Sequence, residues 1–340
     1  MPDEFTRRQL LRATSAAAIG VGAVGPASAS GLPTTDDSDG DHPTVIGRAP
    51  CLDLSDVEMN TRPVDQYGVP EQATGVRPGS QMFIEFPDGG TAGCTANFIW
   101  ESFPGSESGD ASADDQGTSS GGDLYIGAAG HCFLPTDAAA SENAATAEER
   151  QDGEAFDTSQ LGTVSVCLDC TFGGATGLSV VEGPVVELGE VVYARQEVRN
   201  GEDGPGHDFG IVRIPADKRD LVDPSMPQWG GPNGVSGDAI DPGLPINQYG
   251  AGVANGEVYP TMGSSGTSFG GNPEQDTWFA GIRASPGDSG SPIIGALGTG
   301  KEAGGILTHL TTAGIAGTTM DQCRAMVERD IGLEIDVVLP

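Results

Sequence analysis

Three short motifs contain side chains that together could activate a hydroxyl group. Residues 287–292 read GDSGSP around Ser289, residues 129–132 read AGHC around His131, and Asp208 directly precedes an apolar run. A serine hydroxyl is a poor nucleophile at neutral pH unless an imidazole takes its proton, and that imidazole needs an acceptor on its other nitrogen. The sequence therefore offers a nucleophile, a base and an orienting carboxylate in the order His, Asp, Ser.

The chain has only four histidines, so the candidates for the base are few. His42 lies in a polar, Asp-rich stretch and is expected to be solvated, and His207 projects away from Asp208 if that residue opens a strand. His309 lies in a late apolar run, where a satisfied strand histidine and a role in substrate recognition both stay open. His131 is the best candidate for the base.

The motifs resemble those of the chymotrypsin-like (trypsin-like) serine protease family, over residues 78–330. The family carries its base in a small-small-His-Cys element and its nucleophile in Gly-Asp-Ser-Gly-small-Pro. The resemblance implies that His131 is the general base, that Asp208 orients it and that Ser289 attacks the scissile carbonyl. It also implies an oxyanion hole formed by the main-chain N–H groups of Gly287 and Ser289, since two donors must converge on one point.

The pattern of residues predicts an all-β protein, because short alternating or β-branched runs are broken by Gly, Pro and Asp. The resemblance implies two six-stranded antiparallel β-barrels with the active site between them. A short C-terminal helix is predicted at 321–330. The predicted strands are 82–86, 94–100, 124–128, 164–168, 185–194 and 209–214 in the first set, and 246–253, 277–284, 292–294 and 305–310 in the second.

We expect four regions along the chain, with two acidic inserts. The first low-complexity insert follows the second strand, and the second insert follows the loop of His131. The regions are a signal peptide (1–29), a linker or propeptide (30–76), an N-terminal barrel (77–222) with inserts at 101–123 and 137–157, and a C-terminal barrel with the closing helix (223–340).

The first 29 residues are predicted to be an export signal rather than part of the folded domain. Residues 6–11 read TRRQLL and resemble a twin-arginine motif, a mildly apolar segment follows at 13–24, and residues 27–29 offer a small-residue cleavage site. The apolar segment is too short and too Gly-rich to span a bilayer. We therefore expect a secreted protein delivered by the twin-arginine route, with no membrane span.

Residues 30–76 lack a barrel pattern and could be a linker, a propeptide or an N-terminal wrap around the second barrel. Many members of the family become active when cleavage frees an Ile or Val amino group that pairs with the aspartate before the nucleophile, here Asp288. Residues 45–47 (VIG) resemble such a new terminus only in part, and their spacing to Cys94 is long. Proteolytic activation therefore stays open.

The charge balance is strongly acidic, with 49 Asp and Glu against 16 Lys and Arg and a formal net charge of −33. Lysine occurs only at Lys218 and Lys301. Such a surface repels itself at low salt and is typical of proteins from salt-loving microbes. Acid clusters that bind cations or basic partners are a less economical explanation, because the acids are spread along the sequence. Nucleic acids and anionic membranes are poor partners for this charge.

We expect the unfolding midpoint to rise as NaCl is increased from about 0.1 M to about 3 M, because screening relieves the self-repulsion of the acidic chain. Thermal unfolding followed by circular dichroism across this range measures the effect. A flat or falling midpoint would contradict the halophilic interpretation.

Six cysteines in an exported chain suggest disulfides. The resemblance implies a bridge from Cys94 to Cys132, which would hold the loop of the base. Cys167 and Cys170 could form a disulfide with each other, since they lie at the end of a predicted strand and no further zinc ligands are spaced nearby. Cys51 and Cys323 remain, and only elimination would pair them.

The residue six positions before the nucleophile lies at the base of the primary specificity pocket in the family, and here it is Arg283. A buried guanidinium could bind an acidic side chain of the substrate, with Thr308 and His309 as further donors. Alternatively, Arg283 points outward and pairs with one of the many surface acids.

The motifs together predict a serine endopeptidase that forms an acyl-enzyme intermediate on polypeptide substrates. We expect it to act as a monomer, without a metal or an organic cofactor. The alternative from another class is an exported, non-catalytic binding module on the same fold. An esterase on an α/β-hydrolase scaffold is disfavoured, because that fold places Gly-x-Ser-x-Gly before its histidine.

Overall fold

A computed structural model describes residues 42–67, 75–103, 122–134, 161–173, 179–199, 202–255, 261–295 and 301–340 of the chain. These residues form two β-sheets, with one longer helix near the C-terminus. The predicted signal peptide and most of the two predicted inserts lie outside the described residues.

Nineteen strands are present in the described part of the chain, numbered here in chain order. They are β1 (Val45–Arg48), β2 (Leu52–Asp53), β3 (Glu58–Pro63), β4 (Gln81–Glu85), β5 (Thr91–Thr95), β6 (Ile99–Ser102), β7 (Leu124–Ala128), β8 (Thr163–Cys167), β9 (Thr171–Gly173), β10 (Val180–Arg199), β11 (Glu202–Arg213), β12 (Gly234–Val235), β13 (Pro245–Tyr249), β14 (Gly263–Asn272), β15 (Thr277–Gly281), β16 (Pro292–Gly295), β17 (Glu302–Thr311), β18 (Gly314–Thr318) and β19 (Ile335–Val337).

The C-terminal sheet closes on itself. Its strands follow the order β17, β16, β13, β14, β15 and β18, and β18 pairs back with β17 in antiparallel register. This closed ring of six strands is the second barrel that the sequence predicts. Strands β1 and β12 add to the outside of β17, antiparallel and parallel respectively.

The N-terminal sheet forms the first barrel that the resemblance implies. Its ring runs from β4 through β5 and β6 to β7, β11, β10 and β8, and β8 pairs back with β4. Strands β5 and β6 are two halves of one bent strand, since only residues 96–98 separate them and each half pairs with a different neighbour. Strands β2 and β19 add to β5 and β6, and β3 and β9 also pair with β10. The predicted all-β architecture is confirmed.

Apolar side chains explain why these strands form. Successive residues of a strand point to opposite faces, so the alternating runs bury one face of each sheet. The largest buried cluster fills the first sheet and includes Met82, Ile84, Ile126, Val164 and Val166, each no more than 2% exposed. Smaller clusters fill the second barrel and the region under the helix.

Two α-helices lie in the described residues, α1 (Val64–Tyr67) and α2 (Met320–Ile331). The predicted closing helix at 321–330 is therefore confirmed as α2, which buries Met326 and Val327. It ends at Gly332, whose φ of 68° is the left-handed conformation that glycine adopts without strain. Neither helix is long and apolar enough to cross a membrane.

Some strand boundaries differ from the predicted ones. The predicted strand at 94–100 is divided into β5 and β6, because the chain turns at residues 96–98 to leave one partner strand for another. Residues 42–67, for which no barrel pattern was recognised, form β1, β2, β3 and α1. Each of these strands is held by pairing with a strand far along the chain, which a local pattern does not reveal.

Candidate active site

The structure brings the three predicted side chains into one chain of hydrogen bonds. The Oγ of Ser289 lies 2.7 Å from Nε2 of His131, and Nδ1 of His131 lies 2.6 Å from Oδ2 of Asp208. The main-chain N–H of His131 also donates to Oδ1 of Asp208 at 2.9 Å. Both carboxylate oxygens therefore face the histidine, and the hydroxyl lies within reach of the other ring nitrogen, as proton transfer requires.

Each of the three residues lies on an element that fixes its position. His131 is in a short 3₁₀ turn, Gly130–Cys132, that follows β7. Asp208 lies in β11, which pairs with β7. Ser289 lies three residues before the start of β16 of the closed C-terminal barrel. The site therefore lies at the junction of the two sheets, with the base and the carboxylate on one and the hydroxyl on the other.

Thr95 ties the serine loop to the first sheet. Its main-chain N–H donates to the carbonyl oxygen of Ser289 at 2.9 Å, and its hydroxyl donates to the carbonyl oxygen of Gly287 at 2.7 Å. The hydroxyl also accepts a hydrogen bond from the N–H of Ala251. Sequence analysis missed Thr95, and its place next to Cys94 is the one signal that could have indicated it.

Asp208 is fully buried and is held as an ion by its neighbours. Burial raises the pKa of Asp208, but the charge and hydrogen bonds of His131 outweigh burial, so its pKa lies below the ordinary value. Its main-chain N–H donates to the hydroxyl of Thr318 at 3.3 Å, and that hydroxyl is 2.9 Å from the carbonyl of Pro205. An ionised carboxylate beside Nδ1 keeps a proton on that nitrogen and leaves Nε2 free to accept one.

The loop before Ser289 is shaped by the carboxylate of Asp288. One of its oxygens accepts from the N–H of Gly252 and the side-chain amide of Asn255, each at 2.8 Å. The other accepts from the N–H and the hydroxyl of Ser285. Four local donors thus satisfy this buried group, and their hydrogen bonds fix the turn that leads to Ser289. Val45, whose freed amino group was considered as a partner of Asp288, lies in β1 of this structure and pairs there with Thr311 of β17.

Burial raises the pKa of Asp288 from 3.8 to about 6, despite the hydrogen bonds from Ser285 and Gly252 and the charge of Arg283. A carboxyl whose pKa is raised on folding stabilises the fold at low pH, and this contribution is lost as pH rises through the folded pKa. The free energy of unfolding of the parent chain, minus that of an Asp288→Asn variant, should therefore fall as pH rises. The expected fall is about 3 kcal/mol between a pH below 3.8 and a pH above 6. Denaturant titrations of both proteins at several pH values measure this difference. A difference that does not change with pH would contradict it.

One N–H of the predicted oxyanion hole already has an acceptor. Gly287 has a φ of 93°, a conformation that side chains rarely adopt, and a Cβ there would lie 2.9 Å from Cγ of Leu52. Its N–H donates to the carbonyl oxygen of Pro50 at 2.8 Å. In this structure the N–H of Gly287 is therefore bonded to a carbonyl group of the chain itself.

The cysteine pairing differs from the expected one. Cys94 is bonded to Cys51 rather than to Cys132, and Cys132 is a buried thiol whose sulfur lies 3.3 Å from that of Cys51. The pairing of Cys94 with Cys132 is therefore wrong for this structure, because β2 brings Cys51 alongside β5 and three sulfurs converge at one point. Cys323 is a free thiol in α2, so elimination does not pair it with Cys51.

Cys167 and Cys170 form the disulfide that was considered for them. The thiol of Cys132 lies 3.5 Å from Oγ of Ser289. Burial raises the pKa of the Cys132 thiol, so it stays protonated and acts as a weak donor beside the serine.

Ligand atoms of Cys51, His131 and Cys132 lie within 4.8 Å of one another. The sulfur of Cys51 is used in its bond to Cys94, and both ring nitrogens of His131 have other partners. A metal at this point would require these bonds to break, so we do not assign a metal site here.

The three candidates for the specificity pocket have other hydrogen-bond partners. Arg283 donates to the hydroxyl of Ser264 and to the carbonyl oxygens of Thr261 and Gly263. The guanidinium is thus turned toward residues 261–264, which does not favour its expected role as counter-ion to an acidic substrate side chain.

Thr308 and His309 lie together in β17. The hydroxyl of Thr308 donates to the carbonyl of Pro205 at 3.0 Å and lies 2.9 Å from Nδ1 of His309. Burial lowers the pKa of His309 to about 3, although the nearby Asp208 opposes this shift. His309 is therefore a neutral, buried strand histidine, and its Nε2 has no hydrogen-bond partner within the described residues.

The remaining histidines lie outside the triad. His42 is exposed and stacks on Phe279 with ring centroids 5.0 Å apart. His207 pairs through Nε2 with Asp276 at 3.1 Å, so it projects away from its neighbour Asp208 as expected.

Comparisons with known proteins find similarity only to solved structures. No protein-family model matches the chain, and no curated protein matches it. The solved structure of the protease Anisep from Arthrobacter nicotinovorans is 12% identical with a TM-score of 0.41, covering 76% of this chain and 97% of its own. Protease A from Thermobifida fusca is 15% identical with a TM-score of 0.39, covering 77% and 100%.

A glutamic acid-specific serine protease that uses a histidine triad in substrate binding is 16% identical, with a TM-score of 0.39 and coverage of 77% and 100%. These neighbours are proteases built on the same fold. At such identities the likeness concerns the course of the chain alone, so the role of each residue rests on the contacts within this protein.

Proposed function

We propose that the protein is a serine endopeptidase that hydrolyses peptide bonds through an acyl-enzyme intermediate. The observation that carries this proposal is the continuous set of contacts from Ser289 through His131 to Asp208, with 2.7 Å and 2.6 Å between the paired atoms. A non-catalytic binding module would not need a buried carboxylate, an imidazole and a hydroxyl aligned in this way.

In the first step, Nε2 of His131 takes the proton of Ser289 as the Oγ attacks the carbonyl carbon of the substrate. The negative charge that develops on the carbonyl oxygen is stabilised by the N–H groups of Gly287 and Ser289, whose positions the main chain fixes. The N–H of Gly287 must first release the carbonyl oxygen of Pro50. The imidazolium then gives its proton to the leaving amine, and the substrate acyl group stays on Ser289 as an ester.

In the second step, a water molecule attacks the ester and gives its proton to His131, which returns it to Ser289. Asp208 remains ionised throughout, because its role is to hold one tautomer and to stabilise the imidazolium. This chemistry uses side chains and main-chain groups of the chain itself.

We further propose that the protein is exported by the twin-arginine route and acts outside the cell at high salt. The motif at residues 6–11 and the net charge of −33 support this proposal. Its partners would be polypeptide substrates.

Digestion of a mixed peptide library in molar salt, read by mass spectrometry, tests the proposed activity. We expect new internal termini in peptides several residues from either end, because a site between two sheets can accept a chain that extends in both directions. Removal of single residues from the ends would contradict endopeptidase activity.

A further inference from the structure

Residues 45–50 lie across the proposed active site in the way an extended peptide would. Strand β1 pairs antiparallel with β17, with Gly47 opposite Leu310 and Arg48 opposite His309. The pairing continues beyond β1, since the N–H of Ala49 donates to the carbonyl oxygen of Thr308 at 2.8 Å. Addition of a strand to a sheet edge is a common way to bind a peptide, because the main chain provides the affinity.

The side chain of Ala49 fills an apolar pocket beside this edge. Ala49 is 1% exposed and belongs to a buried cluster that includes Ile282, Leu307 and Ile315. A methyl group fits this cluster, whereas a charged side chain would lose its hydration there without gaining a partner. The pocket therefore suits a small apolar side chain.

The segment also occupies the polar groups of the site. The carbonyl oxygen of Pro50 accepts the hydrogen bond of the Gly287 N–H at 2.8 Å, where the oxyanion would lie. The carbonyl oxygen of Ala49 lies 3.1 Å from Nε2 of His131. Because a carbonyl oxygen only accepts, this contact is a hydrogen bond when Nε2 carries a proton, and a protonated Nε2 cannot take the proton of Ser289.

The burial of the nucleophile agrees with this occupancy. Ser289 is 0% exposed and His131 is 8% exposed. A hydroxyl that attacks a peptide bond in another chain must be reachable by that chain. The described structure is therefore one in which a substrate cannot enter until residues 45–50 move.

The segment is anchored at its far end. Cys51 is bonded to Cys94 of β5, and Leu52 pairs with Gly93 in the same strand. The segment thus connects the edge of β17 on the second barrel to β5 on the first sheet, and it crosses the cleft between them.

We propose that residues 45–50 are an intramolecular pseudo-substrate, which keeps the cleft closed and identifies it as a site for extended peptides with a small apolar side chain at the position of Ala49. This inference rests on the proposed function, because it treats the cleft as the place where peptides bind and are cleaved. It also assigns residues 45–50 a role that the sequence pattern left open.

The Ala49→Asp variant tests the proposal, because it places a charge in the apolar pocket and should release the segment. We expect kcat/KM for a short peptide substrate to rise at least about tenfold over the parent chain. The matched control is Leu339→Asp, which adds the same charge at a residue 47% exposed and away from the cleft. The kcat/KM of this control variant should stay within about twofold of the value for the parent chain.

A second measurement does not depend on catalysis. In chains that also carry Ser289→Ala, we would measure fluorescence anisotropy of a dye-labelled hexapeptide VIGRAP, the sequence of residues 45–50. The Ala49→Asp chain should bind it at least about tenfold more tightly than the chain with Ala49, and the peptide VIGRDP should not compete.

The outcomes separate the two proposals. If the Ala49→Asp chain binds the peptide more tightly but no chain cleaves a substrate, the pseudo-substrate proposal is supported and the endopeptidase proposal is contradicted. Unchanged binding and unchanged cleavage in a folded Ala49→Asp protein would overturn the pseudo-substrate. If Ala49→Asp does not fold, Ala49→Pro makes the same prediction, because proline lacks the N–H that donates to Thr308 and its ring restricts the main chain of the segment.

Discussion

Ser289→Ala is expected to lower peptide hydrolysis by at least ~10³-fold while leaving the fold intact, because the hydroxyl, the imidazole and the carboxylate act as one unit. In the proposed mechanism Oγ of Ser289 forms the acyl bond, and no other serine oxygen in the described structure lies within hydrogen-bond distance of Nε2 of His131. Rates should be measured in the parent chain and in the Ala49→Asp chain, so that closure of the cleft does not hide the effect.

Ser236→Ala is the matched control for this substitution. The hydroxyl of Ser236 donates to the carbonyl oxygen of Asp238, at a distance from the cleft. We expect its rate to equal that of the parent. Near-parental hydrolysis by Ser289→Ala in both backgrounds would show that the nucleophile is a different residue.

Asp208→Asn is expected to lower kcat/KM by ~10³- to 10⁴-fold through the wrong tautomer of His131. One oxygen of Asp208 accepts from the main-chain N–H of His131 and the other from Nδ1. An asparagine has one oxygen, which the main-chain N–H would keep, so its NH₂ group would face Nδ1. That nitrogen must then accept a hydrogen bond, and the ring proton moves to Nε2, which can no longer act as the base.

The control for Asp208→Asn is Asp276→Asn, a second His–Asp pair in the same protein. Asp276 lies 3.1 Å from Nε2 of His207, and its φ of 52° is one that asparagine tolerates. Activity should be retained in this variant. Nitrogen chemical shifts of His131, measured by NMR in both variants, would report the tautomer directly. A normal rate in Asp208→Asn, or a loss of equal size in Asp276→Asn, would contradict the role of Asp208.

The sequence was sufficient to predict which three residues the structure brings together, because each of them lies in a short motif with distinctive neighbours. His131 has Cys132 after it, and Ser289 is flanked by Gly287 and Gly290, whose positive φ angles shape the turn. The residues that support them could not be predicted in the same way. Thr95 touches the serine loop from another sheet, and apart from its place next to Cys94 nothing in its own neighbourhood distinguishes it from an ordinary strand threonine.

The segment at residues 45–50 was missed for a related reason. Strand β1 has four residues, and its pairing partner β17 lies more than 250 residues later in the chain. So short a run has no periodicity to detect, and its stability comes from the edge of an existing sheet. The strands added to the first sheet have the same origin, since β2 and β19 come from opposite ends of the described chain and pair with β5 and β6.

The cysteines show where a pattern has several solutions. Cys94 and Cys132 are placed as the family places its bridge, and in the structure they do lie at one point. A third cysteine, Cys51, reaches the same point through β2 and takes Cys94 as its partner. Spacing along the chain cannot decide between three sulfurs that meet in space.

Labelling with a serine-directed fluorophosphonate, followed by peptide mapping in a mass spectrometer, tests the central claim most directly. The probe should be applied to the parent chain, to Ala49→Asp and to Ala49→Asp with His131→Ala. We predict a single adduct on Ser289, with faster labelling in Ala49→Asp than in the parent and slow labelling when His131 is absent. No adduct in any chain, or an adduct on a different residue, would contradict the assignment of Ser289 and His131 as nucleophile and base.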